Sequence, residues 1–131
     1  MSHANRIEVR NTANKGRGVF ARTRFARGAT IEFAPVILIP AEQWPHIEPT
    51  VLALYIYNFG PTAEQEHAAI ALGFGSLYNH SYRPNAQYIK DWDAQAIRFI
   101  ALRDIEENEE ITINYNGVPE SDKPIWFEAC E

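Results

Sequence analysis

At 131 residues and 46% hydrophobic, with three Trp, six Tyr and seven Phe, the chain matches one domain that buries about two thirds of its unfolded surface. Its single cysteine, Cys130, excludes an internal disulfide and any multi-cysteine zinc site. The net charge of −5 is unevenly divided: residues 1–28 set seven basic side chains against Glu8 alone, +6, and the remainder is −11, an acidic body that favours basic partners over nucleic acid.

The first residues, "MSHANRIEVR", contain no apolar core and do not read as a signal peptide. "IEVR" (7–10) reads as a strand, "NTANKGRG" as a turn-rich loop and "VFAR" (19–22) as a second strand. Residues 27–39 open on a turn and continue as a long apolar strand, with Pro35 marking a bend or an edge position. "AEQWPHIE" (41–48) opens a short helix that Pro45 limits. "VLALYIYNF" (51–59), rich in β-branched and aromatic residues, reads as a strand. "AAIAL" (68–72) fits strand or helix. Residues 86–92 and 95–102 form a hairpin, and "EITINY" (110–115) is the last strand. The apolar stretches "FAPVILIP" and "VLALYIY" fall far short of the about 20 residues a membrane helix needs. The expected class is mostly β, many short strands in one domain, in the cytoplasm or, in a eukaryote, the nucleus.

Four fragments stand in order: "KGRGVFA" (15–21), "NHSYRPNA" (79–86), "ALRDIEENEEITINY" (101–115) and "WFEAC" (126–130). Alone, each has an ordinary reading: Gly16 and Gly18 as a hairpin turn, Asn79 and His80 as caps of a buried turn, Tyr115 as a strand aromatic. In this order and separation they resemble the SET-domain protein-lysine methyltransferases, over nearly the whole chain. The resemblance implies small curved β-sheets around a C-terminal pseudoknot, in which "EEITINY" threads beneath a loop beside "NHS". The domain is expected to span residues 1–131, with its core about 5–117 and a closing segment at 118–131.

The resemblance also implies a methyl donor, S-adenosylmethionine, and a lysine acceptor. Lys15, Gly16, Arg17 and Gly18 would lie along the donor's methionine part with Asn79. The backbone at His80 would meet adenine, its imidazole held in the interior. Tyr115 would be the catalytic residue beside the transferring methyl, and Trp126 would cover the adenine. Tyr57, Tyr88, Ile113 and Phe127 would form the lysine channel, a tyrosine at 88 with an aliphatic at 113 matching a monomethylating pattern. A lysine of pKa near 10.4 is neutral only about once in 2,500 at pH 7, roughly 4.6 kcal/mol. An aromatic channel beside a sulfonium lowers that pKa and enables attack.

Departures from the family pattern are visible. Asn108 stands where glycine is frequent, and asparagine is the next-best residue for positive φ. Tyr82 replaces a frequent cysteine, read as a packing change without chemical consequence. Only Cys130 remains of the three cysteines of a zinc-binding closing segment, so no metal is expected; the histidines at 3, 46, 67 and 80 are scattered. A second subunit could complete the site, making a homodimer an open expectation. The acidic run Glu106–Glu110 reads as a solvated turn, or less readily as a substrate contact. The reading is a stand-alone methyltransferase acting on a basic protein such as a histone, a DNA-associated or a ribosomal protein. Its rivals are a catalytically inactive SET-like interaction module and a nucleic-acid binder working through the basic head, whose affinity would fall steeply with salt.

Overall fold

The computed structural model describes residues 6–62 and 64–125. Among these described residues there are nine strands in two sheets. β1 (Ile7–Asn11) and β2 (Arg17–Ala21) form an antiparallel hairpin, its loop closed by the Thr12 amide donating to the Gly16 carbonyl at 2.7 Å. β3 (Thr30–Ile39) follows, then a 3₁₀ turn (Ala41–Gln43), the single-turn helix α1 (Trp44–Ile47) and a second 3₁₀ turn (Val51–Tyr55). The remaining strands are β4 (Ile56–Phe59), β5 (His67–Ala71), β6 (Asn79–His80), β7 (Ala86–Asp91), β8 (Ala96–Ala101) and β9 (Glu110–Ile113). One sheet runs β1-β2-β9-β6 and the other β4-β5-β3-β8-β7. The mostly β class expected from the sequence is the class observed.

Two local expectations need adjustment, and one open alternative is decided. Residues 51–59 are not one strand. Thr50 caps a 3₁₀ turn by accepting from the Leu52 amide at 3.2 Å, and the strand begins only at Ile56. Val51, Leu52 and Leu54 lie exposed, so no neighbouring strand exists for β-branched residues to pack against. "AAIAL" resolves as strand β5, paired on both sides by β3 and β4. Ala68, Ala69 and Ala71 are buried there. Pro35 lies in a central strand, where β3 hands over from β8, its partner through Pro35, to β5, its partner from Val36.

The core joins both sheets. Phe25, Phe59, Phe99, Ile31, Ile97, Ile105 and Ile111 are fully buried, each such side chain contributing about 1.5–3 kcal/mol. A register shift between Thr30 and Glu32 breaks the alternation of β3 against β8, and both Ile31 and Glu32 turn inward. Such bulges re-aim a side chain. Asn108 has φ +72°, so the turn before β9 takes the left-handed form expected of it.

The uneven charge along the chain becomes complementarity in space. Arg24 meets Asp104 at 2.6 Å and Glu106 at 3.3 Å, Arg10 donates to Asn108 at 2.9 Å, and Lys15 faces Glu110 at 3.7 Å. Two cations of the basic head, Arg24 and Lys15, are thus matched by acidic residues between Asp104 and Glu110. Among the described residues no helix is long and apolar enough to cross a membrane.

Candidate active site

The polar "NHSYRPN" segment is folded around β9. β6 pairs in parallel with β9, Asn79 opposite Thr112 and His80 opposite Ile113. β9 is thereby held between β6 and β2. Asn85, buried, clasps it from the side: its carbonyl oxygen accepts from the Thr112 amide at 2.9 Å and its amide donates to the Glu110 carbonyl at 2.7 Å. Here a single asparagine replaces ladder hydrogen bonds that a second strand would supply. The Ser81 amide donates to the Ile113 carbonyl at 2.9 Å. Just past the strand, the Tyr115 amide donates to His80 Nδ1 at 3.0 Å. The His80 imidazole is buried between Tyr82 and Tyr115, with ring centroids at 4.4 and 5.3 Å. It is therefore the interior anchor expected of it, and it fixes where Tyr115 leaves β9.

Two cavities meet at Tyr115. The smaller, about 190 Å³, is lined by Lys15, Gly16, Arg17, Leu77 and Asn79. The larger, about 550 Å³, is lined by Trp44, Tyr57, Tyr78, Tyr88, Lys90 and Asn116 among others. Leu54, Tyr55, Ser76 and Tyr115 belong to both walls. The partition is braced: Ser76 Oγ donates to the Tyr55 carbonyl at 3.0 Å and accepts from the Ala71 amide at 3.0 Å.

In the smaller cavity the Asn79 amide donates to the Arg17 carbonyl at 2.9 Å and to the Glu110 carboxylate at 2.8 Å. Both its hydrogens are thus committed, which leaves Oδ1 as the acceptor Asn79 can offer. A Cβ at Gly18 would run into the Glu110 carboxylate and stand 2.7 Å from Asn79 Nδ2, so only glycine lets this pair close over β2. Lys15 supplies a cation, Asn79 an amide oxygen. A zwitterionic amino acid needs both, an anchor for its carboxylate and an acceptor for its ammonium, so the lining fits the methionine part of S-adenosylmethionine.

The larger cavity is tyrosine-walled. Tyr57 donates to the Gly75 carbonyl at 2.7 Å and meets Tyr88 edge-to-face at 5.0 Å. Tyr115 donates to the Tyr78 main-chain carbonyl at 2.6 Å. Burial, with Glu110, Tyr55 and Tyr88 adding to it, pushes the Tyr115 phenol up to about 12. Burial and then Glu66 push Tyr88 up to about 12, and burial raises Tyr57 and Tyr78 well above the ordinary phenol value. All four rings are neutral at physiological pH. Lys90 is the cationic exception: burial lowers its pKa, against an opposing pull from Glu66, whose carboxylate lies 3.9 Å away.

Most of the residues singled out from the sequence converge here. Lys15, Gly16, Arg17, Asn79 and Tyr115 line the smaller cavity, and Tyr57 and Tyr88 the larger. Gly18 and His80 stand one layer behind. Ile113 is fully buried in the core, outside both linings. Trp126, Phe127 and Cys130 lie outside the described residues. Glu106, Glu109 and Glu110 are engaged by Arg24, Arg103 and Asn79, away from the larger cavity. Among the described residues no cluster of three or more His, Cys, Asp or Glu is placed to hold a metal ion. Sequence reasoning missed Ser76, Tyr78, Lys90 and Glu32, none of which stands in a recognisable motif. It also underrated Tyr82, whose hydroxyl donates to the Lys123 carbonyl at 3.1 Å and fastens the closing segment to His80's loop.

The SET domain family matches residues 16–116. The chain is 36% identical over 123 residues to the histone-lysine N-methyltransferase, H3 lysine-37 specific, of Schizosaccharomyces pombe, covering 93% of this chain and 77% of that protein. In three dimensions it resembles a Plasmodium falciparum protein described as a candidate histone methyltransferase, with TM-score 0.65 and 27% identity, covering 84% of this chain and 92% of that one. It also shares its fold with the Neurospora SET domain protein DIM-5, a histone lysine methyltransferase, at TM-score 0.64 and 17% identity, over 95% of this chain and 55% of that one. With a family match over most of its length and cavities that meet at Tyr115, the chain belongs to the SET-domain family.

Proposed function

We propose that the protein transfers a methyl group from S-adenosylmethionine to a lysine side chain of a basic protein. The observation that carries this reading is the meeting of the two cavities at Tyr115, one lined for an amino-acid zwitterion and the other walled by neutral tyrosines. When bound, the donor supplies a sulfonium-activated methyl, whose bond to sulfur breaks onto sulfur as the lysine nitrogen forms the new bond to carbon.

The chain's own residues do the rest. Lys15 and Asn79 hold the methionine part at one end. Tyr57, Tyr78, Tyr88 and Tyr115 exclude water and align the amine, and alignment and desolvation together are worth several kcal/mol. The Tyr115 proton is directed at the Tyr78 carbonyl, so its hydroxyl turns lone pairs towards the junction, suited to a polarised methyl or an amine N–H. A phenol at about 12 is no base at pH 7. The lysine must therefore shed its proton to solvent on entering the tyrosine-walled cavity, which disfavours the charged form.

A basic protein substrate, histone-like, is favoured by the acidic body and by Glu48 on the rim of the larger cavity, and by the specificity named for the fission-yeast relative. The test is calorimetric titration with S-adenosylmethionine followed by mass spectrometry of core histones incubated with both. Donor binding with a gain of one methyl on lysine is expected. Binding without transfer to any lysine would leave an inactive interaction module, and no binding at all would overturn the reading.

A further inference from the structure

Glu32 is a buried carboxylate, 5% exposed, in the middle of a sheet. It shares the inward face of β3 with Ala34, opposite Phe99, and the register shift between Thr30 and Glu32 brings Ile31 inward beside it. Burying a charge is costly unless it is hydrogen-bonded. A merely space-filling position would be served by an apolar residue of similar volume. The carboxylate accepts from the Phe74 amide at 2.9 Å and from the Tyr78 hydroxyl at 2.8 Å. These donors stand at the two ends of residues 74–78, the loop whose Ser76, Leu77 and Tyr78 form the cavity walls. Gly73 makes room for the carboxylate, because a Cβ there would overlap Oε2.

Tyr78 links this anchor to the junction. Its ring is 1% exposed and stacked on Phe99 at 4.4 Å, its hydroxyl is held by Glu32, and its main-chain carbonyl accepts the Tyr115 proton. With ring and hydroxyl both fixed, the peptide that receives the Tyr115 hydroxyl has little freedom. From these contacts we infer that Glu32 is a positioning residue for methyl transfer, setting the direction of the Tyr115 hydroxyl through Tyr78. The inference rests on the reading of Tyr115 as the residue beside the transferring methyl.

The test compares the wild type with Glu32→Gln, Tyr78→Phe and the double variant. Each donor meets a different oxygen of Glu32, and Gln puts a donating NH2 at one of those two positions; Tyr78→Phe keeps the ring and carbonyl while removing the hydroxyl. Each protein is labelled with ¹³Cζ-tyrosine, and the Tyr115 resonance is assigned with Tyr115→Phe. In Glu32→Gln and Tyr78→Phe that resonance is expected to move and its titration midpoint to fall below the wild type's. With S-adenosylmethionine and core histones, kcat should fall at least about tenfold while the calorimetric donor affinity stays within about twofold. The double variant should be no worse than the poorer single one, because both act through one linkage. An unmoved Tyr115 resonance in folded variants, or a rate loss no larger than the loss of folded protein, would overturn the assignment. Should Glu32→Gln fail to fold, Tyr78→Phe carries the test alone. A wild type without transfer would sink the proposed function, and the Tyr115 resonance would still decide the role of Glu32.

Discussion

The Tyr115 hydroxyl and the Tyr78 carbonyl, 2.6 Å apart, tie the second residue after the last strand to the residue before β6. A phenol held at about 12 is ionised in about one molecule in 100,000 at pH 7, so the hydroxyl acts by its position. Tyr115→Phe keeps the ring against His80 and deletes the oxygen. It should lower kcat by about 100-fold or more and leave donor affinity within about threefold, as read by initial rates and calorimetry.

Asn79 has two jobs that one substitution separates. Its amide ties Arg17 to Glu110, and the residue lines the smaller cavity. Asn79→Ala should weaken donor binding by at least about tenfold. Thermal denaturation should show a stability loss of about 1–3 kcal/mol, the cost of partners left unmatched. A protein that binds donor normally after this change would show that the smaller cavity is not the donor site.

Alkaline pH should separate activity from stability. Tyr57, Tyr78, Tyr88 and Tyr115 all have folded-state values raised above the unfolded one. Their contribution to stability is complete below about pH 10; that of Tyr88 and Tyr115 is lost as pH rises through about 12, while Tyr57 and Tyr78, raised well above the ordinary phenol value, go on destabilising the folded state at higher pH. Activity should climb with pH from 7 towards 10 as the lysine substrate loses its proton. Chemical denaturation across pH 9–12 should show stability falling above 10, less steeply in Tyr88→Phe.

The turn before β9 offers a backbone test. Asn108 sits at φ +72° and accepts from Arg10. Asn108→Ala should cost about 1–2 kcal/mol, since a Cβ without local hydrogen bonding disfavours this region. Asn108→Gly should be much milder, with strain relieved while the Arg10 contact is lost. Denaturant midpoints of the two variants decide it.

How much of this was legible in the sequence depended on whether a residue's role was local. Gly16, Asn79, His80 and Tyr115 stand in fragments whose order carries a resemblance, and Asn108 announces its own dihedral. Residues 51–59 misled, because β-branched and aromatic content describes a surface to pack on, and for residues 51–55 that surface was missing. Glu32 was invisible for another reason. A carboxylate between the apolar Ile31 and Phe33 reads as the solvent face of a strand, whereas the register against β8 turns Glu32 inward with Ala34 and leaves Phe33 exposed. Tyr82 and Lys123 meet across 41 residues, a pairing no local pattern announces.

β9 lies between β2 and β6, with partners about 90 residues upstream at Val19 and about 33 upstream at Asn79. A chain emerging from the ribosome can close the β1–β2 hairpin and the β7–β8 hairpin early. It cannot complete either the clasp of Asn85 or the junction at Tyr115 until residue 115 has cleared the exit tunnel. Closing such distant contacts is slow, so maturation is gated by the last strand to arrive. An incomplete chain is catalytically silent, however much of its sheet has already formed.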